Sequence, residues 1–177
     1  MANLITARLE LVAASIDLLE AELESPSKLS LLLRANVPEG WPPGEYDPPA
    51  MKYFLEQLHM HPDACGWYGW YAMTLATSEN QRTLVGNGGF FGPPDSDGQV
   101  ELGYSIVPHF EGQGYASEMV SSLVSFAFAH AEVKRIVAHA SKENIGSWKV
   151  LEKNNFLRTD AGEGSGMLKY VRTEPTP

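Results

Sequence analysis

The chain has few of the residues that would give it a covalent or electrostatic shortcut to function. It holds one cysteine in 177 residues, Cys65. No internal disulfide can form, and a lone thiol in the turn-like PDACGW is more often incidental than nucleophilic. No apolar run is long enough to cross a bilayer. The N-terminal MANLITARLELVAAS lacks a basic region followed by a clean apolar one, which argues against a secretory signal. Together these absences predict a cytoplasmic protein with no membrane partner. Basic residues are also scarce, and unevenly so. Residues 1–133 carry 5 Lys or Arg against 17 Asp or Glu, residues 134–158 carry 6 against 2, and the whole chain sums to −9. So acidic a body repels nucleic acid and attracts a cationic substrate, while the late basic segment offers a place for an anion. A solvated surface explains the same charges equally simply.

What is present reads as one domain. A 44% hydrophobic fraction over 177 residues suits a single core. Residues 5–12, ITARLELV, alternate as a half-buried strand does. Ser15 is placed to cap a helix over 16–24, and 26–35 is a second helical piece. Then NVPEGWPPGEYDPPA, residues 36–50, packs five prolines and two glycines into fifteen positions, which forbids a regular element. Trp41 and Tyr46 within it imply a loop that packs over something. Residues 50–61 form a helix with Met51, Phe54, Leu55 and Leu58 on one face. Strands are expected over 67–77, 83–91 and 99–107, with GPPDSDG as a turn between the last two. A helix over 115–130 carries Met119, Val120, Leu123, Val124 and Ala127 as its stripe. A strand at 135–140, a helix at 145–154 and strands at 156–158 and 167–171 complete the chain. The order predicts a mixed α/β or α+β sheet, not a doubly wound one, with parallel pairing in the later strand–helix–strand units.

The chemistry centres on PHFEGQGYASEM, residues 108–119, where Gly112 and Gly114 stand between a strand and a helix. A helix start offers unpaired N–H groups, and glycines let backbone amides come close to an anion. A tight turn with no ligand fits the glycines equally well. A P-loop would need Lys and then Ser or Thr after the last glycine, but Tyr115 and Ala116 follow Gly114. A dinucleotide fingerprint would need a third glycine where Ser117 stands, and an acid after a strand that ends Ala138-His139-Ala140.

ELGYSIVPHFEGQGYASEM followed by IVAHASKENIGSWKVLEKNNF resembles the GNAT superfamily of acetyl-CoA-dependent N-acetyltransferases, and most closely its ribosomal-protein Nα-acetyltransferase branch. Four motifs occur in order between Glu101 and Phe156. They are a Glu-x-Gly-Tyr strand ending in Val-Pro, the Gly-x-Gly-Tyr-Ala turn, an Asn-x-x-Ser helix start and Val-Leu-Glu-Lys-x-x-Phe. One position departs: Glu111 stands where the family signature has Gln or Arg. The resemblance implies a mixed central sheet, splayed at the acetyl-CoA site and flanked by helices. Gly112, Gln113, Gly114, Tyr115 and Ala116 would give amides to the CoA pyrophosphate. Ile106 and Val107 would pair through their backbone with the pantetheine arm, or simply fill a strand core. Asn144 would contact the pantetheine and Ser147 would protonate the leaving thiolate, although the pair also has the spacing of an ordinary helix cap.

Acetyl transfer to an amine also needs a base and an acceptor pocket. Glu101, on the strand leading to the acetyl site, is the candidate base. Trp41, Tyr46, Trp67 and Trp70 are candidate acceptor walls, with Glu39, Glu45 and Asp47 drawing in an ammonium group. An aromatic minicore beneath the loop explains the same residues. Lys149 and Lys153 are candidates for the CoA 3′-phosphate. His59 and His61 have no further ligands nearby, so no metal is expected, and His109, His130 and His139 receive no role. The expected partner is a small-molecule amine or a protein N-terminus, and a homodimer is left open. A non-catalytic acyl-CoA-binding or interaction module is the rival reading.

Overall fold

The computed structural model describes residues 2–44, 46–78, 80–159 and 166–173. Eight strands form one sheet: β1 (Asn3–Ile5), β2 (Leu9–Ala13), β3 (Gly69–Thr74), β4 (Leu84–Phe90), β5 (Gln99–Ile106), β6 (Arg135–Ser141), β7 (Leu157–Thr159) and β8 (Met167–Thr173). Five α-helices connect them: α1 (Ile16–Glu24), α2 (Pro26–Leu33), α3 (Pro48–Met60), α4 (Tyr115–Phe128) and α5 (Ile145–Lys153). Their ends follow the local chemistry. Ser15, Ser25 and Asp47 each accept a backbone N–H three residues on, and prolines open α2 and α3.

Strand order is β1-β2-β3-β4-β5-β6-β8-β7. Two features differ from the sequence expectation. The alternating run 5–12 is not one strand but the two arms of a hairpin, because the chain turns back between Ile5 and Leu9. The β5–β6 pair is parallel as expected. β7, however, does not join β6, because β8 lies between them and pairs antiparallel with both.

Strand alternation divides the core into two layers. On β2 and β3, Leu9, Leu11, Ala13, Trp70 and Ala72 pack on the side of α4. Val12, Ala14, Tyr71 and Met73 pack against α1, α2, α3 and the loop that follows them. The loop, residues 36–47, is fastened from below by a buried carboxylate. Glu22 on α1 accepts from Trp41 Nε1 at 2.6 Å, the Tyr46 hydroxyl at 2.7 Å and the Tyr71 hydroxyl at 2.5 Å. Burial pushes the Glu22 carboxyl up from its usual range, and the three donors only partly offset that.

Candidate active site

The site begins where the sheet opens. β5 and β6 pair over three positions only, Gln99–Arg135, Val100–Ile136 and Glu101–Val137. Beyond Glu101 the strands diverge. In an antiparallel ladder the backbone groups point alternately to one neighbour and the other. The Val107 N–H donates to Val85 O at 2.9 Å. By alternation, Tyr104 and Ile106 turn their N–H and C=O away from β4 and into the gap. This corrects one expectation. Val107 cannot pair with a ligand, because its carbonyl is also taken, by the Phe110 N–H at 2.8 Å. Ile106 and Tyr104 are the residues whose backbone groups face the gap.

The glycine turn adjoins the gap. Gly112 and Gly114 have φ of +72° and +83°, conformations that favour glycine. The first intrahelical bond of α4 is Glu118 N–H to Gly114 O, so Tyr115, Ala116 and Ser117 begin the helix without backbone acceptors. Glu111 is exposed and joins no ion pair among the described residues. A base does reach the turn, from the β1–β2 hairpin, a contribution the sequence did not reveal. Arg8 Nη1 donates to Gln113 O at 2.9 Å, and its guanidinium lies 4.7 Å over the Tyr115 ring. Arg8 also donates to Glu118 through Nε, at 2.7 Å, and through its backbone N–H, at 2.8 Å; Thr6 adds a third donor at 2.6 Å. Burial alone would raise the Glu118 carboxyl, but these bonds hold it below its ordinary value. A groove of about 600 Å³ joins Arg8 and Gly114 to Lys153 along the serine-rich face of α4.

A second cleft, of about 400 Å³, passes through the splay and is lined from both sides of β5. On the α4 and α5 side, the Tyr104 hydroxyl donates to Ser147 O at 3.0 Å and lies 2.8 Å from Ser147 Oγ. Burial drives the Tyr104 phenol up to about 12, so it stays protonated. Asn144 Oδ1 accepts the Ser147 N–H at 2.9 Å, which makes the capping role real and leaves the amide nitrogen free. On the other side, Glu101 Oε1 meets His139 Nδ1 at 2.8 Å across the last paired positions of β5 and β6. Both side chains are exposed to the cleft. His139 had no role in the sequence reading, because its partner lies 38 residues away.

The aromatic walls need correction. Tyr46 lines the cleft. Trp41 stands behind it, edge-on at 6.0 Å, with its indole N–H committed to Glu22. Trp70 does not line the cleft. Alternation on β3 turns it to the α4 layer, where it donates to Gly66 O at 2.9 Å and packs on Phe126. Trp67 lies in the same layer. Asp47 is spent on capping α3, and Glu45 lies outside the described residues.

The sheet is thus splayed after three parallel pairs, with a glycine turn at one end of the gap and paired hydroxyls beside it. The comparisons place the chain in a family. Residues 26–157 match the acetyltransferase (GNAT) domain model, and the chain belongs to that family. It is 30% identical over 157 residues to the uncharacterized N-acetyltransferase YjdG of Bacillus subtilis, covering 89% of this chain and 90% of that one. A putative ribosomal-protein-serine acetyltransferase from Vibrio cholerae shares the fold at 18% identity and a TM-score of 0.62, with 98% of each chain covered. RimL, a ribosomal L7/L12 alpha-N-protein acetyltransferase solved with coenzyme A, shares it at 19% identity and 0.62, with 96% of each covered.

Proposed function

We propose that the protein moves an acetyl group from acetyl-CoA to a primary amine by direct attack of the amine on the thioester. The observation that supports this best is the cleft through the splay, which sets a hydroxyl pair on one side of β5 and a carboxylate–imidazole pair on the other. The residues present suit acetyl-CoA. The open edge of Tyr104 and Ile106 fits the amides of the pantetheine arm. The free N–H groups after Gly114 fit the pyrophosphate. The groove running to Lys153 fits the nucleotide end.

The amine enters from the side of α3 and the loop. His139, bonded through Nδ1 to Glu101, keeps Nε2 as the lone pair that takes the ammonium proton, and Glu101 steadies the resulting charge. The freed nitrogen forms the C–N bond, and the C–S bond breaks. Ser147 Oγ donates to the departing sulfur, while Tyr104 holds that hydroxyl in place. An ammonium acceptor gives up two protons. The first passes through His139 to solvent. The second, lost from nitrogen once the C–N bond has formed, restores by way of solvent the one that Ser147 hands to the sulfur, so that one thiol and one released proton balance the reaction. Ile106 or Tyr104 N–H, fixed in the strand, takes the oxyanion without reorganising.

A thiol-release assay over a panel of amines tests this reading. We expect acetyl-CoA turnover that depends on the amine, and an acidic limb of the pH–rate profile that is lost or displaced in Glu101→Gln. Tight acetyl-CoA binding with no thiol release for any amine would instead favour a non-catalytic acyl-CoA-binding module.

A further inference from the structure

The floor of the acceptor side is a small grid. Asn87 pairs with Ser105 and Gly89 with Gly103 across β4 and β5, and the Phe91 N–H donates to Glu101 O at 3.1 Å. Paired residues share a face. Phe91 and Glu101 therefore form one end, two glycines the middle, where the Phe91 ring leans over Gly103, and Asn87 and Ser105 the inner end beneath Gly44 and Tyr46. The even-numbered residues face the other way, since a Cβ on Gly88 would stand 3.2 Å from Leu123 of α4.

Asn87 is the anomaly. It is 7% exposed, it lines the cleft, and its Oδ1 has no hydrogen-bond partner. Among the described residues one other buried side-chain atom is unpaired, Arg82 Nε, and that guanidinium already has Glu10 at 2.7 Å. Among the described residues the Asn87 carboxamide has no hydrogen-bond partner. An unpaired buried polar group is destabilising, so each one calls for a functional role or a partner that completes it. With no partner to fix it, the carboxamide can present oxygen or nitrogen to the cleft by turning about its last bond.

We infer that Asn87 determines acceptor specificity by reading a neutral amide group that trails the reacting amine, so that the preferred acceptor is a peptide N-terminus. The inference rests on the N-acetyltransferase reading and sharpens it. Two strand steps separate neighbouring rows of the grid, roughly 7 Å. That matches the span from an N-terminal nitrogen near the splay to the second peptide group of an extended chain, the first lying only about half as far. Among the described lining residues Glu101 is the one carboxylate, and it stands two rows from the inner end. Glu22 lies behind Tyr46 with three donors already on it. Among the described residues at that end nothing would pair a polyamine's second charge. A peptide group, with one donor and one acceptor, is matched by a carboxamide that has both.

The experiment compares kcat/KM for glycylglycinamide, 1,4-diaminobutane and 1-aminobutane in the wild-type protein, Asn87→Leu and Asn87→Ser. The wild type is expected to favour glycylglycinamide, and the ratio of glycylglycinamide to 1-aminobutane should fall at least tenfold in both variants. Calorimetric binding of glycylglycinamide in the presence of CoA should weaken by a similar factor. An unchanged ratio with unchanged binding would overturn the inference, and so would a wild-type preference for the diamine. If the wild type releases no thiol with any amine, the catalytic reading fails. The calorimetric comparison then still decides the role of Asn87.

Discussion

The two ends of the active site are built by different means. The turn at 111–117 works with backbone: left-handed glycines and the first N–H groups of α4, all from one stretch of chain. The acceptor side works with side chains that come from separate elements: Tyr46 from the loop, Phe54 from α3, Asn87 from β4, Glu101 from β5 and His139 from β6. A backbone site can tolerate change in most of its side chains but not in its dihedral angles. A side-chain site tolerates the reverse.

Substitution at Gly114 should break the comparison most visibly. A non-glycine residue at φ +83° costs roughly 1–2 kcal/mol, and a Cβ there would stand 3.3 Å from Arg8 Nη2. Gly114→Val is expected to raise the KM for acetyl-CoA by about a hundredfold and to leave the ranking of acceptors intact. A change in acceptor ranking in steady-state kinetics would show that the two ends are not separable.

A smaller effect is expected from the loop. Glu22→Gln would turn an amide N–H₂ toward a ring of donors. Loss of that fit should cost about 2 kcal/mol in chemical denaturation and raise the KM for the amine several-fold. The KM for acetyl-CoA should hardly move. Equal changes in both constants would mean that the loop supports the whole cleft rather than its acceptor wall.

The smallest effect concerns the Arg8–Glu118 contact that braces the turn. The folded pKa of Glu118 lies below its unfolded value. Its contribution is therefore present above the unfolded pKa and lost as pH falls through the folded one. Glu118→Gln should cost about 1 kcal/mol at neutral pH, and the gap to wild type should close in denaturation curves taken below about pH 4. A gap that persists there would assign the loss to packing instead of charge.

The same division explains what the sequence revealed. The glycine turn, the α4 stripe and the Asn144–Ser147 cap are local patterns, and they can be read within a dozen residues. The strand order at the sheet edge, with β8 between β6 and β7, depends on a return of the chain that no local pattern records. Trp70 was misplaced because a strand buried on both faces gives no clue to which side a given residue takes. Arg8 and His139 escaped notice because each meets its partner across the fold: Arg8 reaches Glu118 over 110 residues and His139 reaches Glu101 over 38. Asn87 could be recognised only once its lack of a partner was visible.

The central claim is that the open edge of β5 receives acetyl-CoA at Tyr104 and Ile106, with Val107 already spent. Amide hydrogen exchange resolved by residue, with and without CoA, tests it directly. Protection should rise at Tyr104 or Ile106 and at 115–117 when CoA is added, with Val107 protected throughout. Exchange at Tyr104, Ile106 and 115–117 that is unaltered by saturating CoA would contradict the account.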